Sequence, residues 1–343
     1  MRNKLIVILI LAVSAAAGIS SYIARSTLAR ALEEGPSPVT INAEAIPLSS
    51  EALRQQAVGP FRYVAGWALS SEHDDFGGWS GMVLGEAGKS IVAINDKGDW
   101  LTAQLALASP QPLSNATIRP FESGATMGLM DKFDFDAESL VRSGNGFLVG
   151  MEQDHRILVV DAIGGPSRRA AYDSQIDLSI LSPNGGAEAM TKLEDDRLMV
   201  FAEHGLDVHG TLPAWIAGPT GVVHRRFAPP HNYSPTDAAT LPNGDVLLLM
   251  RYFSALDGVS AKLLLLSAAE IASSDTLRGT ELAHFAEPLS VDNMEALDIR
   301  VQPDGTIRLF MMSDDNFNPL QRTLLMVFDW KRKTASVSKA APQ

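Results

Sequence analysis

One short pattern occurs five times along the 343-residue chain, and it limits the possible folds more than any other feature. Each copy contains an acidic or hydroxyl residue, an apolar run, a turn, and a second apolar run that ends in a charged residue. The copies begin about 50 to 58 residues apart, which is the period of a propeller or a repeat array. They cover residues 80–96, 138–152, 188–203, 237–251 and 295–314.

Each copy carries a turn signal in its middle, and such a dipeptide between short apolar runs indicates a β-hairpin. The dipeptides are Ala87-Gly88, Asn145-Gly146, Asp195-Asp196, Asn243-Gly244 and Asp304-Gly305. We therefore predict an all-β propeller of five four-stranded blades. A sixth blade, built from residues 40–75, stays open as an alternative. The strand-like runs at residues 61–70 and 322–330 are expected to pair and close the ring, because closure removes free sheet edges.

Hairpin geometry predicts that the charged residues of the repeats meet on one face. The first and last residues of a hairpin lie side by side, and propeller blades share one orientation about the axis. A group of carboxylates repels itself unless cations bind or the pKa values rise. Oxygen ligands suit calcium, so we expect a calcium site. The predicted metal ligands are Glu138, Glu188, Asp237, Glu295, Asp314, Asp96 and Asn293.

Other polar residues near the same hairpin ends are candidates for catalysis and for anion binding. The candidates for proton transfer are Glu152, Glu203 and His155. The candidates for binding an anionic group are Arg251, Lys97, Arg156, His204 and Arg322. The alternative is that these basic residues only balance charge. Ser80 occupies the carboxylate position of the first repeat, and Met82 breaks the G-x-S-x-G pattern of a catalytic serine.

The first residues have the composition of a secretory signal. Arg2 and Lys4 precede an apolar stretch over residues 5–18, and Ala29-Arg30-Ala31 offers a cleavage site. We expect residues 1–31 to be a signal peptide, with an uncleaved N-terminal anchor as the alternative. Residues 32–58 are expected to form a linker, residues 59–332 the propeller domain, and residues 333–343 a disordered tail. The predicted location is therefore outside the cytoplasm, in the periplasm.

The net negative charge of the chain limits the classes of partner that it can bind. The net charge is -12, and removal of residues 1–31 takes away four basic residues and no acidic one, which gives -16. Such a chain does not suit nucleic acid or anionic lipid. We expect a divalent cation and a small anionic ester as partners, no membrane contact beyond the N-terminal segment, and a monomer. Cysteine is absent, so stability must come from the core.

Eight segments resemble the phytase-like family, which is described by its "esterase-like activity of phytase" domain. The segments are FGGWSG at 76–81, NDKGDW at 95–100, DAE at 136–138, NGGAE at 184–188, PTD at 235–237, VDNME at 291–295, SDDNFN at 313–318 and QRTLL at 321–325. The resemblance extends over residues 60–330. It implies an exported bacterial β-propeller that hydrolyses phosphoric or carboxylic esters.

Three functions follow as hypotheses. The first is metal-assisted hydrolysis of an ester, with phosphate monoesters as the expected substrates. The second is a lactonase-type propeller, in which Asn184 and Asn293 would complete a mixed carboxylate and amide site beside Glu188 and Glu295. The third is a propeller of the cell envelope that binds a ligand or partner without catalysis, because one fold supports many functions.

Overall fold

The structure is a computed structural model that describes residues 35–52, 54–121, 136–152, 155–171, 173–181, 186–254 and 256–332. The predicted signal or anchor and the predicted disordered tail lie outside these residues. Within the part of the chain that is described, no helix is long and apolar enough to cross a membrane.

The described residues form 24 strands, one α-helix and three short 3-10 turns. The strands are β1 (Ser37–Val39), β2 (Asn42–Ala45), β3 (Ala57–Val58), β4 (Phe61–Ser70), β5 (Trp79–Leu84), β6 (Ser90–Asn95), β7 (Asp99–Leu105), β8 (Leu113–Pro120), β9 (Ala137–Ser143), β10 (Gly146–Met151), β11 (Arg156–Val160), β12 (Ser167–Arg169), β13 (Ala187–Lys192), β14 (Leu198–Ala202), β15 (Leu212–Gly218), β16 (Gly221–Phe227), β17 (Ser234–Thr240), β18 (Val246–Ser254), β19 (Gly258–Leu266), β20 (Thr276–Leu277), β21 (Thr280–Phe285), β22 (Asn293–Val301), β23 (Ile307–Asp314) and β24 (Thr323–Trp330). The helix is α1 (Ala268–Ser273), and the turns are Glu86–Gly88, Asp173–Gln175 and Leu178–Ile180.

The strands form five sheets in a ring, so the predicted five-bladed propeller is confirmed. Blade 1 contains β5 to β8 with β1 at its outer edge, and blade 2 contains β9 to β12. Blade 3 contains β13 to β16 with β20, and blade 4 contains β17, β18, β19 and β21. Blade 5 contains β22, β23, β24, β4 and β2. The inner strands β5, β9, β13, β17 and β22 contact one another in turn around the axis.

The ring is closed in blade 5 by strands from the two ends of the domain. β4 pairs with β24, from Leu69 opposite Thr323 to Phe61 opposite Trp330. This is the predicted closure. β2 extends the same sheet, so residues 40–75 complete blade 5 and do not form a sixth blade. The expected linker over residues 32–58 is corrected in its described part, because β1, β2 and β3 pair with the sheets of blades 1 and 5.

The hydrophobic core is divided into five clusters, each between two neighbouring blades. A strand in the middle of a blade is therefore buried on both faces. In β18, Leu247 and Leu249 pack toward blade 5, whereas Leu248 and Met250 pack toward blade 3. This explains why the strands read as continuous apolar runs, which is typical of sheets that are covered on both sides.

The hairpin turns between the first two strands of the blades lie on one face of the ring, which we call the lower face. In blades 3, 4 and 5 the turn contains one residue with positive φ, at Asp196 (66°), Gly244 (78°) and Gly305 (80°). Glycine, asparagine and aspartate tolerate this conformation best. The opposite face, where the second strand of each blade leads into the third, we call the upper face.

Candidate active site

Every inner strand contains a β-bulge near the start of its sequence repeat. In blade 2, Ser139 pairs with Gly150 and Ala137 pairs with Met151, so Glu138 between them has no residue opposite. A bulge removes a residue from regular pairing and redirects its side chain. The register shifts at the same place in the other four blades. The five bulged residues are Ser80, Glu138, Glu188, Thr236 and Glu295.

The bulge of blade 4 corrects the alignment of the fourth repeat. Pro235 pairs with Met250 and Asp237 pairs with Leu249, so the bulged residue is Thr236. The repeat was predicted to begin at Asp237. The inner positions of the ring therefore carry three glutamates and two hydroxyl residues.

A second set of charged residues stands at the ends of the second strands. Their backbones contact the residue two positions before each bulge; in blade 2, Glu152 N–H donates to the Asp136 carbonyl at 2.7 Å. The residues at the strand ends are Asp96, Glu152, Glu203, Arg251 and Asp314, opposite Gly78, Asp136, Gly186, Ser234 and Asn293. We call Asp96, Asp136, Glu138, Glu152, Glu188, Glu203, Glu295 and Asp314 the acidic ring.

Two groups of three carboxylates come close enough together to bind a cation. Asp136, Glu138 and Glu152 place one oxygen each within 4.8 Å of one another, and so do Glu152, Glu188 and Glu203. We call these the first and second triads. They share Glu152 and lie in blades 2 and 3. Oxygen ligands of this density are typical of sites for hard cations such as calcium.

Arg251 supplies positive charge on the other side of the ring. Its Nη2 lies 2.7 Å from Glu203 Oε1, and its Nη1 donates to Asn293 Oδ1 at 3.2 Å. Its Nε lies 3.1 Å from Glu295 Oε1, an ion pair without hydrogen-bond alignment. Asn293 Nδ2 donates to the same oxygen of Glu295 at 2.8 Å. Arg251 thus links blade 4 to both neighbouring blades.

Burial and mutual repulsion raise the pKa values of the acidic ring. Burial is the largest cause, and it raises the pKa of Glu152 to about 7 and that of Glu295 to about 8. The pKa values of Glu138 and Glu188 rise well above the usual range for the same reason, with neighbouring carboxylates adding to the effect. The ring therefore holds more negative charge than Arg251 balances, and it must take up protons or cations.

Residues 74–317 match the family described as "Phytase-like: Esterase-like activity of phytase". The chain belongs to the phytase-like family.

No curated protein matches the sequence, but solved structures resemble the phytase-like fold at low identity. An endo-arabinase from Bacteroides thetaiotaomicron is 7% identical with a TM-score of 0.49, and the alignment covers 76% of this chain and 96% of that one. A glutaminyl cyclase from Myxococcus xanthus is 14% identical with a TM-score of 0.43, and the alignment covers 79% of this chain and 97% of that one.

Two of the phytase-like motifs contact each other beside the acidic ring. Gly78 of FGGWSG donates its N–H to Asp315 Oδ1 of SDDNFN at 3.0 Å. Gly78 has a φ of 65°, and a Cβ at this position would overlap the Phe317 ring. Lys97, a predicted anion-binding residue, places its Nζ 2.9 Å from the centre of the same ring. The two motifs thus fix the loop around Asp96.

Asp96 and Asp314 lie near this contact and belong to the acidic ring. Burial is the main cause that raises the pKa of Asp96 to about 6, and Asp136 and Asp315 raise it further. Burial likewise raises the pKa of Asp314 to about 7, although Asn316 N–H donates to its Oδ1 at 2.6 Å. Among the described residues, no hydrogen-bond partner reaches the buried Asp96 Oδ1.

Both carboxylate oxygens of Asp237 accept hydrogen bonds from backbone N–H groups, and metal binding by this residue stays a prediction. Its Oδ2 accepts a hydrogen bond from Leu297 N at 2.6 Å, and its Oδ1 accepts one from Ala238 N at 2.8 Å. Asp298 makes the same kind of contact in the next blade, where its Oδ2 accepts from Leu84 N at 2.6 Å. These two carboxylates join neighbouring inner strands.

Of the two histidines predicted for the site, His204 contacts the acidic ring, and His155 lies in a turn before β11. His204 Nδ1 lies 2.7 Å from Glu203 Oε2, and this contact is the main cause that raises the pKa of His204. Its side chain is half exposed. His155 lies in the turn directly before β11, next to residues 153 and 154, which are outside the described residues. A role for His155 in proton transfer stays a prediction.

Two further basic residues stand apart from Arg251. Arg156 is fully buried at the start of β11, opposite Met151. Arg322 lies before β24, where its N–H donates to Asp292 Oδ2 at 3.2 Å and its Nε lies 3.6 Å from the same oxygen. Anion binding by either residue stays a prediction.

Only one of the two amide residues expected for a lactonase site lies among the described residues. Asn184 lies outside the described residues. Asn293 is engaged with Arg251 and Glu295, on the opposite side of the ring from the first triad. Two residues of the candidate site were not predicted from the sequence: Asp136 of the acidic ring and Thr236 at the bulge of blade 4. Asp136 stands two positions before its bulge, as Asn293 does, and this spacing was the available signal.

Proposed function

We propose that this phytase-like propeller is a calcium-dependent ester hydrolase that acts first on phosphate monoesters. The observation that carries the proposal is the excess of carboxylates in the acidic ring, with two triads that share Glu152. A phosphate ester is an anion, and it can approach this surface only when cations neutralise part of the ring. A calcium-dependent enzyme also fits the exported location that residues 1–31 predict.

The donor set fits calcium. All ligands in the two triads are carboxylate oxygens, and the set contains neither thiolate nor imidazole, which zinc and copper prefer. The raised pKa values of Glu138 and Glu188 mean that ionising these groups without a cation is unfavourable. A cation removes that cost, so folding and cation binding are coupled.

The first triad is the stronger of the two candidate sites. In the second triad, both oxygens of Glu203 already have partners, because Oε1 contacts Arg251 and Oε2 contacts His204. In the first triad, all three residues belong to one blade, so a single bulged hairpin sets their positions. Asp136, Glu138 and Glu152 would therefore hold the principal cation, and Glu188 would support it from blade 3.

At this site a divalent cation would polarise a phosphoryl or carbonyl oxygen and lower the pKa of water. Arg251 keeps Glu203 and Glu295 in place, so its role is structural in addition to electrostatic. The Glu203 carboxylate orients the imidazole of His204 and favours its protonated form. Water would add to phosphorus and release a proton to solvent. The bond from phosphorus to the ester oxygen would break, and His204 would donate a proton from Nε2 to that oxygen, so that phosphate and an alcohol are formed.

The test uses the full chain with calcium or EDTA and three substrates: phytate, p-nitrophenyl phosphate and p-nitrophenyl acetate. We expect calcium-dependent release of phosphate. Glu152→Gln should reduce turnover by about tenfold or more, because it removes a ligand common to both triads. Glu281→Gln is the matched control, because Glu281 pairs with Lys262 on the outer side of blade 4.

Three outcomes would separate the alternatives. Hydrolysis of the acetate alone would move the substrate class to carboxylic esters. Activity on lactones alone would favour the lactonase hypothesis. A calcium-dependent rise in Tm without turnover of any substrate would contradict the proposal and would favour a non-catalytic binding propeller.

A further inference from the structure

Large apolar side chains are exposed at the tips of three loops. Among the described residues, eight large apolar side chains are strongly exposed, and five of them lie in these loops. The five, with their exposed fractions, are Leu206 (62%), Val208 (95%), Phe253 (66%), Leu256 (97%) and Leu320 (90%). Single exposed apolar residues are normal on a protein surface. A group of them at loop tips is characteristic of a binding surface.

All three loops project from the upper face, where the acidic ring lies. Each loop leads from the second strand of its blade to the third: residues 203–211 in blade 3, the β18–β19 hairpin in blade 4, and residues 315–322 in blade 5. The β18–β19 hairpin extends three residues beyond Arg251 before it turns. Because blades 3, 4 and 5 are consecutive, the tips form an arc beside the acidic ring. We call these five residues the apolar arc.

Ordered turns hold the tips away from the body of the protein. In the blade 4 hairpin, Asp257 Oδ2 accepts hydrogen bonds from the hydroxyls of Tyr252 and Ser254, both at 2.9 Å. In the blade 3 loop, Asp207 accepts from Thr211 N at 2.9 Å and from its hydroxyl at 2.8 Å. The turns that carry the tips are therefore fixed by their own polar contacts, and the apolar side chains are left to solvent.

The N-terminal part of the chain joins the domain at the same face. β1 runs antiparallel to β8, with Ser37 opposite Ile118 and Val39 opposite Ala116. β8 ends at the upper face, because its last residue, Pro120, pairs with Asp99 directly after the Asp96 turn. The described part of the domain therefore begins, at residue 35, on the side that carries the apolar arc, and the apolar stretch 5–18 precedes it in the sequence.

We propose that the upper face rests on the surface of a lipid bilayer, with the apolar arc inserted among phospholipid headgroups. The net charge of -12 and the acidic ring disfavour an anionic surface. A zwitterionic phospholipid such as phosphatidylcholine is therefore the partner. This departs from the expectation of no membrane contact beyond the N-terminal segment, because loop exposure is not readable in the sequence. The proposal does not depend on the proposed function.

The test uses the absence of cysteine in the chain. Leu256→Cys in the full chain gives one site for an environment-sensitive NBD label, and Val208→Cys gives a second, independent site. On phosphatidylcholine vesicles, both labels should gain emission and shift to shorter wavelength. Val301→Cys is the matched control, because Val301 is an exposed valine at the end of β22, on the lower face. Its label should not respond.

The control separates docking of this face from simple tethering by the N-terminal segment. If the Val301 label responds as strongly as the other two, or if neither upper label responds, the proposal is wrong. A blue shift of the Leu256 label that grows with protein concentration in the absence of vesicles would show contact with a second copy of the chain, and would also overturn it. The Tm of each labelled variant verifies folding, and the measurement needs no catalytic activity.

Discussion

Arg251 Nη2 lies 2.7 Å from Glu203 Oε1, and this contact separates two electrostatic environments in the ring. From blade 4, the guanidinium neutralises Glu203 of blade 3 and Glu295 of blade 5. In blade 2, the first triad consists of three carboxylates and contains no basic residue. The negative charge of Glu295, with a further contribution from Glu203, raises the pKa of Arg251 against the effect of burial, so its charge is permanent. Cations should therefore bind on the side of blade 2.

Replacing Arg251 by methionine should destabilise the protein in EDTA at pH 7. Two buried glutamates would lose their positive partner, which costs about 3 to 5 kcal/mol for a fully buried pair. The side chain of Arg251 is 31% exposed, so we expect about 1 to 3 kcal/mol. Urea unfolding measures the loss, and calcium should reduce it.

Arg168→Met is the control for that experiment. Arg168 pairs with Asp161 at 3.1 Å, and both side chains are mostly exposed. An exposed pair of this kind contributes about 0 to 1 kcal/mol. Equal losses in the two variants would mean that Arg251 does not balance the charge of the ring.

Replacing Glu188 by glutamine should have opposite effects on stability and on calcium binding. Burial raises the pKa of Glu188 well above its usual range, so the ionised form is unfavourable in the metal-free protein. At pH 8 in EDTA, the neutral amide should increase the Tm, whereas at pH 5 the two proteins should unfold at similar temperatures. Calorimetric titration with calcium should show weaker binding by the variant. A variant that lost stability at pH 8 would contradict this explanation.

The fold was largely predictable from the sequence because local signals and global closure agree. The turn dipeptides mark the hairpins, and the run at residues 61–70 is β4 in the structure. The number of blades stayed open between five and six, because it depends on which strands residues 40–75 pair with. Pairing between strands that are distant in the sequence leaves no local signal. The short edge strands β1 and β2 were not predicted, because they too pair with distant strands. In addition, Pro38 and Asn42 are poor strand formers.

The site was predictable in its general position and less so in its individual residues. The carboxylates at the hairpin ends were expected to converge, and the structure brings most of them together. A bulge shifts the register by one residue. In blade 4, Thr236 therefore occupies the position at the bulge that was predicted for Asp237. The contacts of Arg251 were not predictable, because they depend on side chains from three blades. Its observed contacts are those of a counter-ion to Glu203 and Glu295, and its expected role in binding an anion stays a prediction.

The stability of the metal-free protein should fall as the pH rises from about 5 to 8. The pKa values of Glu152, Asp314 and Glu295 in the folded protein are about 7, about 7 and about 8, above those of unfolded carboxyls. The folded state therefore binds more protons than the unfolded state in this range. For each extra proton that the folded state binds, the free energy of unfolding falls by about 1.4 kcal/mol per pH unit. The stabilising contribution is complete near pH 4 and is lost as the pH passes through the folded values.

Calcium should remove most of this pH dependence, because it replaces the protons as counter-charge. Tm measured from pH 5 to 8, in EDTA and in excess calcium, gives two curves that should diverge toward pH 8. Two parallel curves would show that calcium does not bind the acidic ring. Because the comparison is made at each pH, general effects of pH on the rest of the protein cancel.

Asp237, which was expected from the sequence to bind a metal, should contribute mainly to stability. Its two oxygens accept hydrogen bonds from the backbones of Leu297 and Ala238, so Asp237→Ala would leave buried N–H groups without acceptors. We expect a loss of about 1 to 3 kcal/mol in urea unfolding, and a smaller loss for Asp237→Asn, which keeps one acceptor oxygen. Calcium affinity should be unchanged in Asp237→Asn, whereas Glu138→Gln should weaken it. A fall in calcium affinity in Asp237→Asn that matched the fall in Glu138→Gln would restore Asp237 as a ligand and contradict its assignment as a contact between blades.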